Sequence, residues 1–253
     1  MPLRPVSSFA CYYGSDRLED LATYDLAILQ PLPYGRTDIE RLDNAGTVCF
    51  AYLSLGELPV QEARPEWQLI DPTTGQPARN PLWQTIYLDC RRHAWQDHVL
   101  NVSIPAILGR GFPGLFLDTL DVQEIFPETR QSAAALVRRI RASFPSVLLA
   151  INRGFSLLPE IESNLDAFLF EAFTTRWRNG AYEAWHGPEL SWTEKKAADL
   201  KGFSGGRPVL ALDYAAPEDT ELRHLATERV GSHGFVSFVS TRYLDWLPVT
   251  GHA

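Results

Sequence analysis

The sequence predicts a single (β/α)8 TIM barrel over residues 1–253, with long loops after strands 3 and 6. The length and the 45% apolar, 21% charged composition suit one large soluble α/β unit, a size that such barrels commonly use. Eight short apolar runs bounded by turn residues recur along the chain, with amphipathic segments between them, as parallel strands joined by crossover helices require. Polar residues close these runs at one end, where a barrel gathers its strand ends into one mouth.

The expected strands are 9–13, 25–30, 47–53, 114–118, 147–151, 167–171, 208–213 and 234–239. The clearest helix is 129–143, because Ala133, Leu136, Val137 and Ile140 recur at helical spacing. Further helices are expected at 37–44, 91–109, 156–163, 193–202 and 217–229, with Thr37, Ser156 and Thr193 as N-caps. A ninth apolar run, 85–90, competes with a count of eight and reads as the end of a long excursion after the third strand. That excursion, 54–90, carries Pro59, Pro65, Pro72, Pro77 and Pro81, too many for a regular element. A second long connection, 172–192, gathers Trp177, Tyr182, Trp185, Trp192, Arg176 and Arg178. Long loops in compact domains are usually functional, and both excursions follow strands.

A formal net charge of −8 opposes a polyanion, so nucleic acid is not expected as a partner, whereas a neutral or cationic substrate is tolerated. Cys11, Cys49 and Cys90 form no CxxC pair and read as buried free thiols. No apolar run is long enough to span a membrane. Residues 1–8 lack an apolar h-region and a cleavage site, which leaves open a cytoplasmic protein or a chain given without its leader.

The strand-end residues are Tyr13, Gln30, Ser54 with Glu57, Asp118 with Asp121, Asn152, Glu171, and Asp213 with Tyr214. Asp118 in Gly-Leu-Phe-Leu-Asp-Thr and Glu171 in Ala-Phe-Leu-Phe-Glu-Ala-Phe each terminate or interrupt a strongly apolar run. A carboxylate there is costly unless paired, solvated or used. Two carboxylates across a cleft are what glycoside hydrolysis needs; the alternative is pairing with Arg153 or Arg176 beneath the mouth. Asp121, Asp213 and Glu57 either bind substrate or orient the pair, and Asp89 reads as structural. Trp177, Tyr182, Trp185 and Trp192 either stack on sugar rings or pack the loops. Among His93, His98, His186, His224, His233 and His252, only His93 and His98 are closely spaced, without an HExxH pattern, so no metal site is expected. The chain has no GxSxG elbow and no P-loop, and Gly205-Gly206 follows a helix rather than a strand, so no cofactor is expected.

Ala-Tyr-Leu-Ser-Leu-Gly-Glu at 51–57, Gly-Phe-Pro-Gly-Leu-Phe-Leu-Asp-Thr-Leu-Asp at 111–121 and the Glu171 strand, in that order, make the sequence resemble glycoside hydrolase family 114 over roughly residues 9–240. That family comprises endo-α-1,4-polygalactosaminidases and uncharacterised relatives. The resemblance implies a (β/α)8 barrel, an extracellular setting, and hydrolysis within α-1,4-linked galactosamine or N-acetylgalactosamine exopolysaccharide, with the catalytic Asp falling on Asp118 and the catalytic Glu on Glu171. Characterised members tend to carry Asp-Asn-Val-Asp where this chain has Asp118-Thr119-Leu120-Asp121. A partly deacetylated galactosaminan is cationic, in accord with the acidic mouth.

The combined expectation is a monomeric glycosidase with Asp118 as nucleophile or base and Glu171 as general acid. Tyr13, Tyr52, Glu57, Asp121, Asn152, Trp177, Asp213 and Tyr214 are the expected substrate-binding residues. A non-catalytic polysaccharide-binding barrel of an exopolysaccharide system, a hydrolase of another polymer and a metal-dependent deacetylase are the competing readings.

Overall fold

The structure is a computed structural model that describes residues 3–248; His252 lies outside the described residues. Its main sheet has eight parallel strands in sequential order. These are β1 (Phe9–Tyr12), β2 (Leu26–Leu29), β3 (Val48–Ser54), β4 (Gly114–Asp118), β5 (Leu148–Asn152), β6 (Ala167–Glu171), β7 (Val209–Tyr214) and β8 (Val236–Ser240). Each of the eight expected runs supplies one strand. Both faces of such strands are covered, which is why β1 and β2 are apolar and buried at every position. The sheet curls until its edges meet, with the rings of Phe9 and Phe238 5.5 Å apart and the Tyr13 N–H donating to the Leu244 carbonyl at 2.7 Å. The result is a nearly closed (β/α)8 barrel.

Helices Arg36–Ala45, Arg130–Ser143, Gly187–Ser204 and Thr220–Ser232 surround the barrel, and Ala133, Leu136, Val137 and Ile140 all face inward as the periodicity predicts. The expected segment 91–109 is helical from His93, passing through a π-helical turn at Val99–Ser103 before Pro105, whose missing N–H interrupts the ordinary ladder.

Three helix starts differ from expectation. Thr37 lies inside a helix capped at Gly35, where Asp38 accepts the Gly35 N–H at 2.8 Å. Ser156 precedes the Leu157 cap and accepts from Gln123 at 3.1 Å. Thr193 is buried within Gly187–Ser204, which begins at the His186–Gly187–Pro188 bend. A Pro in the first turn starts a helix without losing a bond, and here that signal outranks the hydroxyl.

The excursion after β3 also differs from a proline-broken loop. Glu57–Pro59, Thr85–Tyr87 and Arg79–Asn80 form a small antiparallel sheet, separate from the barrel. The ninth apolar run is therefore a strand, but one at the end of the excursion and outside the eight. The three cysteines are free and buried. No helix among the described residues is long and apolar enough to cross a membrane.

Candidate active site

Asp118 and Glu171 are the last residues of β4 and β6, and Asn152, the last residue of β5, stands between them. Its side-chain amide donates to Asp118 Oδ1 at 2.8 Å and to Glu171 Oε2 at 2.6 Å. The opposite amide orientation would set an oxygen against two carboxylates, so the chemistry of the neighbours fixes this one. The Tyr214 hydroxyl at the end of β7 donates to Glu171 Oε1 at 2.6 Å. Tyr52 presents its hydroxyl to Asp118, and the Tyr13 ring meets Tyr52 edge-on at 5.5 Å. Five expected residues, Tyr13, Tyr52, Asn152, Tyr214 and Glu171, thus converge with Asp118 on one point.

Neither carboxylate of the pair lies within ion-pair distance of a cation among the described residues. Arg176 pairs with Glu183 at 2.8 Å and covers the Trp185 ring, and Arg153 lies over Trp192. Burial pushes the Asp118 carboxyl up to about 6; the Glu171 charge pushes the same way, and bonds from Asn152, the Thr119 N–H and Tyr52 oppose it. Burial first also holds Tyr13 and Tyr214 well above the usual phenol range, with Cys11 and then Asp118 adding to it at Tyr13 and Glu171 at Tyr214.

The backbone turns in the same way after each of these strands. Thr119, Arg153 and Ala172, which follow Asp118, Asn152 and Glu171, have φ of 60°, 50° and 52°. Left-handed residues other than glycine are uncommon and gather at functional sites. Gly56 lets the β3 loop reach the first of these turns: its N–H donates to Thr119 Oγ1 at 2.7 Å, and a Cβ there would stand 2.2 Å from the Thr119 carbonyl.

The other expected contacts fare differently. Asp121 borders a cleft of about 60 Å³ with Glu124, Arg153, Phe155 and Trp192; burial raises its pKa, with Arg153 opposing. Glu57 is buried in the small sheet, where Asn80 and Thr85 donate to its carboxylate. One expectation is corrected and another narrowed. Asp213 is fully buried and takes the Thr174 and Thr175 N–H groups at 2.6 and 2.7 Å, so it anchors the loop after β6 and does not line the mouth. Tyr214 faces the pair, and adjacent strand residues face opposite ways, which turns Asp213 outward. One face of Trp177 is taken by the Arg242 guanidinium, 3.7 Å from its ring centroid, which leaves at most the other face for a sugar. Of the other loop aromatics, Trp185 is covered by Arg176 and donates to the Ala172 carbonyl, while Trp192 borders the Asp121 cleft.

A sequence profile of glycoside-hydrolase family GH114 matches residues 14–251. The chain belongs to this family. GH114 proteins are glycoside hydrolases, and glycosidic hydrolysis is this chain's class of chemistry. The glycoside hydrolase domain of PelA from Pseudomonas aeruginosa superposes with a TM-score of 0.85 at 29% identity, over 97% of this chain and 99% of that one. Ega3 of Aspergillus fumigatus, in complex with galactosamine, shares the fold at a TM-score of 0.68 and 14% identity, covering 95% of this chain and 94% of that one. A 98-residue stretch, 38% of this chain, is 30% identical to the uncharacterized protein MJ1477 of Methanocaldococcus jannaschii; the match spans 28% of that relative's length.

The sequence reading of this GH114 chain missed Arg242 and Tyr243 at the mouth, and it named Arg153 as a partner for the acids, whereas Arg153 lies over Trp192 at the Asp121 cleft. It took strand-end residues from seven strands and none from the eighth, although the same rule applied after Ser240 reaches Arg242 and Tyr243.

Proposed function

We propose that the protein hydrolyses α-1,4-linked galactosamine and N-acetylgalactosamine polysaccharide within the chain, with Asp118 as nucleophile and Glu171 as general acid. The observation that carries this is the pair itself: two strand-end carboxylates without a cation partner, both bonded to one amide nitrogen. A donor 2.8 Å from one oxygen and 2.6 Å from the other keeps those two oxygens no more than about 5.4 Å apart, a close approach of the kind that retaining glycosidases use. Asp118 attacks the anomeric carbon while Glu171 protonates the leaving oxygen; Glu171 then takes a proton from the water that releases the sugar from Asp118. Asn152 and Tyr214 hold the two carboxylates in place through both steps. The polymer follows from the family resemblance, and the acidic mouth suits a partly deacetylated, cationic chain. The enzyme works as a single-barrel monomer in an extracellular setting. The same short separation supports catalysis over a purely binding barrel.

Mass spectrometry of products from a partly deacetylated α-1,4-galactosaminan tests this reading. Wild type should release oligosaccharides with retained anomeric configuration, and Asp118→Asn and Glu171→Gln should each fold but lose at least about a hundredfold in rate. A fully active Glu171→Gln enzyme would refute the assignment of the pair.

A further inference from the structure

Arg242 sits at the rim of the mouth, just past the end of β8, in an environment unlike that of the catalytic pair. Its guanidinium carbon lies 3.7 Å from the Trp177 ring centroid, 5.0 Å from that of Tyr243 and 5.3 Å from that of Trp83. Three segments meet there: the excursion after β3, the hairpin after β6 and the segment after β8. The hairpin also reaches the Arg242 backbone, whose N–H donates to the Tyr182 hydroxyl at 3.1 Å. The segment is tied to the catalytic centre through Leu244, whose carbonyl takes the Tyr13 N–H at 2.7 Å, and Tyr13 in turn packs on Tyr52 beside Asp118.

No carboxylate pairs with Arg242 among the described residues. Asp245, the acid closest to it in its own segment, accepts from the Thr241 hydroxyl. The Arg242 Nε is buried without a hydrogen-bond partner. Aromatic faces balance the charge but leave the N–H donors unused. Trp83 and Tyr243, by contrast, remain 51% and 64% exposed, so they offer stacking faces beside a cation with free donors.

We propose that Arg242, Trp83 and Tyr243 form a subsite for an uncharged N-acetylated sugar of the substrate, distal to the scissile bond. An acetamido carbonyl accepts from the guanidinium and the sugar ring stacks on the exposed aromatics, whereas the ammonium of a deacetylated sugar is repelled. The acidic centre at Asp118, Glu171 and Asp121 has the opposite preference. The enzyme therefore selects chains by acetylation pattern, with a free amine near the cleaved bond and an acetyl group at the rim. This rests on the function proposed above.

The test compares kcat/KM on a fully deacetylated α-1,4-galactosamine oligosaccharide with that on one carrying N-acetyl groups at defined positions, with cleavage sites read by mass spectrometry. Wild type should prefer an acetylated position, and Arg242→Glu should cut kcat/KM on the acetylated probe about tenfold or more while raising it on the deacetylated one. Trp83→Ala should raise KM on the acetylated probe. A loop loosened by lost packing would lower both rates together, so parallel losses overturn the subsite. If wild type cleaves neither probe, the function above fails and the subsite is judged by binding alone. Tryptophan fluorescence titration should then show N-acetylgalactosamine binding more tightly than galactosamine, with the preference lost in Arg242→Glu. Equal binding of the two sugars overturns the subsite.

Discussion

Asp118 and Glu171 each take one of the two N–H donors of the Asn152 amide, which holds them close enough for the charge of one to act on the other. Burial first, and the Glu171 charge second, raise Asp118 to about 6; when Glu171 is protonated to serve as the acid only burial pushes upward, so the nucleophilic form of Asp118 is complete by about that pH. With Asp118 as the nucleophile, kcat/KM rises up to about pH 6; with Asp118 as the acid it falls through that pH. We expect the rising limb in a profile taken on an oligosaccharide substrate. The Asn152 amide favours the ionised form of Asp118, so Asn152→Ala should move that limb to higher pH. A limb that stays in place in the variant would show that the amide positions the carboxylate without tuning it.

The loop after β6 depends on Asp213, which accepts two buried N–H groups while its own ionisation is opposed by burial, raising its pKa to about 6. Asp213→Ala orphans both donors and should destabilise the fold by about 1–3 kcal/mol for each. Asp213→Asn keeps an acceptor and removes the buried charge. The folded wild type binds more protons than the unfolded chain between the ordinary carboxylate range and about 6, so its stability falls as pH rises through that window. Denaturant unfolding should therefore show Asp213→Asn gaining on wild type over the same interval. The misplacement of Asp213 in the sequence reading was avoidable, since strand alternation allows only one of Asp213 and Tyr214 to face the mouth. The eight strands were legible because strands buried on both faces are nearly continuous apolar runs, as in Ala167–Glu171. The helix starts at 157 and 186 were not, because the hydroxyl residues near them were drawn into other bonds, Ser156 to Gln123 and Thr193 to Leu190 and Arg229, and at 35 the Asp38 carboxylate took the role expected of Thr37. The cover of Arg242 on Trp177 joins residues 65 positions apart, and no local pattern records it.

At the scale of the whole molecule, a formal net charge of −8 surrounds a mouth whose centre holds Asp118, Glu171 and Asp121. A cationic, deacetylated chain is drawn toward such a surface over roughly a Debye length, about 10 Å at 0.1 M salt, and added salt removes the attraction. A fully N-acetylated chain carries no charge and feels no such field. Steering acts on encounter rather than on the bond-breaking step, so its effect belongs in kcat/KM and KM, leaving kcat nearly constant. Measured at low and high ionic strength, kcat/KM on deacetylated oligosaccharides should fall by about an order of magnitude, whereas kcat/KM on an N-acetylated oligosaccharide should hold steady. Equal salt dependence on the two substrates would show that the acidic surface serves solubility alone, and that the free amine is recognised only by direct contact with the carboxylates at the mouth.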